Sequence, residues 1–116
     1  MSITYDKLRE RILEFRDKRD WKQFHTPKNL AAGLSVEAAE LLETFLWKTP
    51  EESCRPTKKE LQDLKEEIAD VFVFLIYLCE ELGIDLFEVT DKKINVNEEK
   101  YPVDKSKGNA TKYTEL

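Results

Sequence analysis

An all-α chain is predicted by three observations. Apolar residues recur at intervals of three and four along most of the 116 residues, which is the period of a helix face. Only 3 Gly and 4 Pro are present, so few positions break a helix. No stretch alternates apolar with polar residues as a half-buried strand does, and there is no internal repeat.

The first helix is expected from about Thr4 to Lys18, because Tyr5, Leu8, Ile12 and Phe15 share one face. Asp20 to His25 breaks that period and predicts a loop or helix turn carrying Trp21, Phe24 and the only histidine. Thr26-Pro27 is a start signal, with Thr as N-cap and Pro at the first helical position. The second helix is expected to reach about Lys48, where Thr49-Pro50 stops it, with Leu30, Leu34, Ala38, Leu41 and Phe45 as its stripe. Pro50 to Pro56 reads as a loop. Thr57 and Glu60 form a capping box that opens the third helix. Its seam of Leu61, Leu64, Ile68, Val71, Leu75, Leu78 and Leu82 has coiled-coil spacing. From Val71 to Leu78 the helix is apolar all round, and so small a chain has little else to cover it. A homo-oligomer formed through these long apolar helices is therefore expected. Gly83 ends the third helix, Asp85 and Glu88 suggest a second capping box, and the fourth helix should run to about Lys100. The expected organisation is a four-helix bundle over residues 1–102 and a polar, irregular tail over 103–116.

With 41% hydrophobic and 37% charged residues, the composition is that of a soluble globular protein and not of a disordered one. A net charge of -5 argues against a nucleic-acid polymer as partner, since phosphate backbones need a basic surface. Cys54 and Cys79 form neither a disulfide framework nor a metal-ligand pattern, which suits reduced thiols inside the cell. No signal peptide is evident, and the apolar run Val71–Cys79 is far short of the roughly 18 residues a membrane span needs. A cytoplasmic protein without a membrane partner is expected.

The chemistry centres on two carboxylate pairs. Glu37 and Glu40 stand three apart on the second helix, Glu67 and Asp70 three apart on the third, and each pair shares a helix face. Among 24 acidic residues such pairs also arise by chance, and their plain reading is a solvated face. These two differ in their apolar surroundings: the stripes Glu37, Glu40, Thr44, Trp47 and Asp63, Glu67, Asp70, Phe74, Tyr77 both border the core. A divalent cation between two helices would compensate the charge. Neither pair contains His, so an all-oxygen site for Mg²⁺, or Mn²⁺ in its place, is expected. Four carboxylates exceed what one Mg²⁺ usually takes, which leaves room for further ions or for one acid acting as a base. Trp47 should lie roughly 10 Å beyond Glu40 along a continuous helix, at 1.5 Å per residue, placed to stack on a base whose phosphates sit at the metal.

Other positions carry two readings each. Lys93, Asn97 and Lys100 form a stripe on the fourth helix, followed by Tyr101; it is either a solvated face or a clamp for phosphate oxygens. His25 is either a partly buried, satisfied imidazole or a substrate contact. Trp21 and Trp47 belong first to core or interface on chemical grounds.

These motifs resemble the all-α nucleoside triphosphate pyrophosphohydrolases of the MazG-like superfamily, most closely their dCTP pyrophosphatase branch. The resemblance rests on Arg19-Asp20-Trp21-x-Gln23-Phe24-His25, Pro27-x-Asn29-Leu30, Glu37-x-x-Glu40, Phe45-x-Trp47-Lys48 and Glu67-x-x-Asp70. It continues through Asn97-x-x-Lys100-Tyr101-Pro102-Val103 and Gly108-x-Ala110-x-Lys112-Tyr113-Thr114, covering about residues 13–116. It implies hydrolysis of a nucleoside triphosphate to the monophosphate and pyrophosphate. Glu37, Glu40, Glu67 and Asp70 would be metal ligands and catalytic groups, with Mg²⁺ and one carboxylate activating the attacking water. It further implies that Lys93, Asn97, Lys100 and Tyr101 lie near the triphosphate or sugar, that Trp21, His25 and Trp47 line the base pocket, and that the assembly is a dimer or tetramer. The branch often has Tyr where this chain has Phe74; the missing hydroxyl removes a hydrogen bond worth roughly 1 kcal/mol and would loosen discrimination among bases.

The expected activity is Mg²⁺-dependent conversion of dCTP, or a modified deoxycytidine triphosphate, to dCMP and pyrophosphate in nucleotide-pool sanitation. The alternatives are a housecleaning pyrophosphohydrolase of broader specificity and, in another class, a non-catalytic helical interaction module.

Overall fold

Each long helix begins where a side-chain oxygen can take up the free N–H groups of its first turn. In a computed structural model, which describes residues 2–116, α1 (Tyr5–Asp17) starts with Thr4 Oγ1 accepting from the Lys7 N–H at 3.2 Å. Thr26 caps α2 (Pro27–Glu43) through the Asn29 N–H at 3.2 Å, with Pro27 in the first turn as expected. Thr57 and Glu60 make a complete, reciprocal capping box on α4 (Lys58–Leu82), which ends at Gly83 in the left-handed conformation, φ 65°. Asp85 caps α5 (Leu86–Lys100) through the Glu88 N–H at 3.1 Å. The expected second box is only half made there, because the Glu88 carboxylate pairs with Lys92 at 2.7 Å, one turn on.

Between α1 and α4 two expectations change. The second helix stops at Glu43 rather than near Lys48. From Thr44 onward the N–H groups reach back three residues: Thr44 to the Leu41 carbonyl at 3.3 Å, Phe45 to Leu42 at 2.9 Å, Leu46 to Glu43 at 3.1 Å. The Thr44 hydroxyl also donates to the Leu41 carbonyl at 2.6 Å, taking up an acceptor that the next turn would use. Trp47 then adopts φ 71°, which no helix continues. The stretch read as a loop contains a one-turn helix, α3 (Pro50–Ser53), held by a capping box between Thr49 and Glu52.

The chain divides into two compact units, one running to Gly83 and the other comprising Ile84–Leu116. In the first, α2 and α1 both pack against α4. Ile12, Leu30, Leu64, Ile76, Tyr77 and Cys79 are the buried core, and Arg16 is buried with them. Arg9 on α1 pairs with Glu80 on α4. Gly33 decides the α2–α4 spacing locally, since a Cβ there would overlap the Phe74 ring. Beyond these contacts much apolar surface is left open: Val36, Leu42, Leu46 and Ile68 are each more than half exposed.

In the second unit the tail is not irregular. A short helix, α6 (Val103–Ser106), follows Pro102, and a 3₁₀ turn covers Tyr113–Glu115. The Tyr113 ring meets Tyr101 edge-on at 5.8 Å, and Lys100 Nζ lies 4.7 Å from its centroid, so the tail folds back on the end of α5.

Candidate metal centre and nucleotide site

Glu37 projects from α2, Glu67 and Asp70 from α4, and one oxygen from each lies within 4.8 Å of the other two. The packing of α2 along α4 creates this meeting point, and the three-residue spacing puts both α4 acids on the facing side. None of the three makes a salt bridge among the described residues. Glu37 Oε2 and Glu67 Oε2 are buried without a hydrogen-bond partner.

Electrostatics records the same conflict. Burial pushes the Glu37 carboxyl above the usual carboxylate range, and the adjoining Glu40, Asp70 and Glu67 push it further. Glu67 is raised as well, first by loss of water and then by Glu40 and Asp70. Glu40 therefore borders the cluster, although it stands outside the tight trio. With Glu43, Thr44, Asp63, Glu66 and Glu67 it lines an open cleft of about 370 Å³.

Like charges with orphaned oxygens are costly unless a cation or a proton joins them. An all-carboxylate donor set with two unpartnered buried oxygens fits a hard divalent cation, and Glu37, Glu67 and Asp70 could hold it, with Glu40 beside them.

Asp70 has a second neighbourhood. It also lines a pocket of about 290 Å³ between α1 and α4, together with Leu8, Arg11, Ile12, Phe15, Val73 and Tyr77. The acidic point and an apolar, aromatic-walled pocket thus share one residue, Asp70. Sequence reasoning missed this pocket: the spacing of Leu8, Ile12 and Phe15 announced a core face, and only the packing shows that part of that face stays open.

The remaining candidates are distributed as follows. Trp21 stands edge-on to Phe15 at 5.6 Å, and the Arg19 guanidinium lies 3.7 Å over the Phe15 ring, which places Trp21 beside the pocket wall. His25 packs against Tyr77 with centroids 4.6 Å apart and the rings tilted by 49°, and its Nδ1 is buried without a partner. Burial lowers the pKa of the imidazole, the Arg16 guanidinium adds to this, and Glu81 opposes it. Phe74 packs on Gly33 and meets Tyr77 edge-on at 6.0 Å. Trp47 is 92% exposed and sits in a turn, so the axial distance expected of a continuous helix does not apply to it. Lys93, Asn97 and Lys100 lie on α5, and Tyr101 caps it, all in the second unit. Two further features escaped the sequence: the buried Arg16 facing Glu81 at 3.9 Å, and the close approach at Gly33.

An all-α frame that gathers carboxylates from two packed helices beside an apolar pocket is one that could hold a cation next to an anionic substrate. The model of the MazG-like family matches residues 33–116. The chain is 39% identical over 115 residues to dCTP pyrophosphatase 1 of Mus musculus, an alignment covering 97% of this chain and 68% of the relative. With dCTP pyrophosphatase 1 of Homo sapiens the identity is 36% over the same shares. The crystal structure of a pyrophosphatase from Archaeoglobus fulgidus superimposes with a TM-score of 0.81 at 40% identity, covering 88% of this chain and 95% of the other. The chain belongs to the MazG-like family and is a nucleoside triphosphate pyrophosphohydrolase. Among the described residues, no helix is long and apolar enough to cross a membrane.

Proposed function

We propose that this pyrophosphohydrolase depends on Mg²⁺ and prefers dCTP or a modified deoxycytidine triphosphate, releasing dCMP and pyrophosphate in cytoplasmic nucleotide-pool sanitation. The observation that carries the reading is the sharing of Asp70 between the carboxylate cluster and the α1–α4 pocket. A molecule with a charged end and a flat apolar end fits that arrangement. The dCTP pyrophosphatase relatives supply the cytosine preference.

Glu37, Glu67 and Asp70 would hold Mg²⁺, with Glu40 as a fourth ligand or as the base. The bound ion would neutralise triphosphate charge and favour departure of pyrophosphate. Water attacks the α-phosphorus, the bond from that phosphorus to the bridging oxygen breaks, and pyrophosphate leaves. Glu40, outside the tight trio and exposed, is the carboxylate free to accept the proton of that water. The base would lie in the pocket bordered by Phe15 and Tyr77, with Trp21, His25 and Phe74 shaping its wall. Trp47, held by Lys48 near the start of α4 about three to five turns from that pocket, would stack on a base bound by a neighbouring protomer of the oligomer proposed below. We assign Lys93, Asn97, Lys100 and Tyr101 to the triphosphate and sugar.

We further propose a dimer or tetramer. The open apolar faces of α2 and α4, where Leu42 is 69% and Ile68 55% exposed, support it. Residues 1–102 would carry the chemistry and 103–116 would form an appended segment.

Pyrophosphate release measured over the common dNTPs and NTPs, with and without Mg²⁺, tests the proposal. Fastest turnover of dCTP, dependence on Mg²⁺ and loss in Glu40→Gln are expected. Release indifferent to Mg²⁺ or to that substitution would refute the mechanism. A second reading, broader housecleaning specificity, is favoured by Phe74, whose ring offers no hydroxyl to a base. Similar kcat/KM values across several nucleotides would establish it instead.

A further inference from the structure

We propose that Glu60 is a positioning residue: its ion pair with Lys48 holds the turn that presents Trp47 to substrate. The inference rests on the reading that Trp47 stacks on the base.

Trp47 combines two costly features. Its backbone sits at φ 71°, a region that bulky L-residues rarely adopt, and the residue is 92% exposed. Such a conformation persists only where the surroundings over-determine it. On one side the Leu46 N–H is bound to the Glu43 carbonyl at 3.1 Å, and the Lys48 N–H to that of Phe45 at 3.0 Å. On the other, Thr49 is tied into the α3 capping box. Among the described residues, the one ion pair from the turn to α4 is that of the Lys48 ammonium with Glu60 Oε2. Glu60 Oε1 meanwhile accepts from the Thr57 N–H at 2.9 Å. A single carboxylate thus joins the cap of α4 to the residue that follows Trp47.

The pair is sheltered, with side chains 23% and 34% exposed, and it borders a hollow of about 120 Å³. Thr44 and Asp63 line both this hollow and the acidic cleft, so the latch adjoins that cleft. Tertiary contact here fixes a residue whose own sequence neighbourhood would have continued a helix.

The test uses Glu60→Gln, which keeps an oxygen for the Thr57 N–H while removing the charge that Lys48 needs. With Mg²⁺ present, KM for dCTP should rise about threefold to tenfold while kcat stays within about twofold. In the Trp47→Ala background, Glu60→Gln should leave KM unchanged, as a coupled pair requires. Lys48→Arg, which preserves the ion pair, should retain the normal KM. In a Trp21→Phe protein without substrate, Glu60→Gln should lower the fluorescence anisotropy of the remaining Trp47. A KM raised by Trp47→Ala but not by Glu60→Gln overturns the latch and leaves the stacking role intact. An equal rise from Glu60→Gln with and without Trp47 overturns it as well. A KM indifferent to Trp47→Ala removes the stacking role, and the latch with it.

Discussion

Glu60 and Glu67 lie on the same helix, two turns apart, and their carboxyl groups are driven in opposite directions. Glu60 accepts from Lys48 and from the Thr57 backbone, and its pKa falls to about 2. Glu67 has other carboxylates for neighbours, an orphaned oxygen and a raised pKa. Residue type and helix are the same, so the partner decides. A carboxylate whose charge is already answered holds structure together, whereas one left unanswered among its own kind suits the cation that the proposed function places there. The first stabilises the resting fold; the second opposes it unless a cation or a proton joins the cluster.

The contrast is open to four challenges, the largest first. Glu67→Gln or Asp70→Asn should reduce kcat/KM by on the order of 10²-fold, as loss of a charge-stabilising group in an active site does. Both should also raise the melting temperature of the metal-free protein, because each removes repulsion. A metal-free melting temperature that falls in both would erase the distinction from Glu60.

Next comes the ion itself. Mg²⁺ at about a hundred times its dissociation constant should stabilise the fold by about 2.7 kcal/mol, reversed by chelation, if it binds only the folded state. A thermal melt of the Glu37→Gln, Glu67→Gln double variant should show almost none of this gain.

Gly33→Ala is expected to cost about 1–3 kcal/mol in denaturant unfolding, since the new Cβ overlaps the Phe74 ring. Adding Phe74→Leu should restore part of it. An unaltered stability in Gly33→Ala would show that the helix pair can yield at this point.

The smallest effect concerns acid. Glu60 has a folded pKa of about 2 against an ordinary 4.5, so its stabilising contribution is complete above the ordinary value and is lost as pH falls through the folded one. Between pH 4.5 and 2 the melting temperature of Lys48→Met should therefore decline less steeply than that of the unchanged protein. The difference will be modest because the pair is partly solvated. Parallel declines would mean that the ion pair contributes nothing.

The four long helices and most of their limits were legible because caps are local, whereas the one-turn α3 and α6 were not. Thr4, Thr26, Thr57 and Gly83 act through side chains and backbone within a few residues, and each does what its position implies. The end of α2 was not legible. Leu46 and Trp47 continue an acceptable helical pattern, and the chain departs from it through three-residue backbone bonds, the Thr44 hydroxyl and Lys48 reaching for α4. The tail was misread for a similar reason: its polar residues suggest no core, yet Tyr113 finds Tyr101 and Lys100.

At the site, the spacing of Glu37, Glu40, Glu67 and Asp70 already placed each pair on one helix face, since helical periodicity is a property of the chain alone. The family followed from the order of its motifs. Only the packing of α2 on α4 decided that Glu37, Glu67 and Asp70 converge while Glu40 stands beside them. Only the packing of α1 on α4 opened a pocket that Asp70 helps to line. Periodicity tells a residue which way to face along its own helix. The distance across to the next helix is set by what fills the space between them, here the Phe74 ring against a glycine that has no side chain to give way.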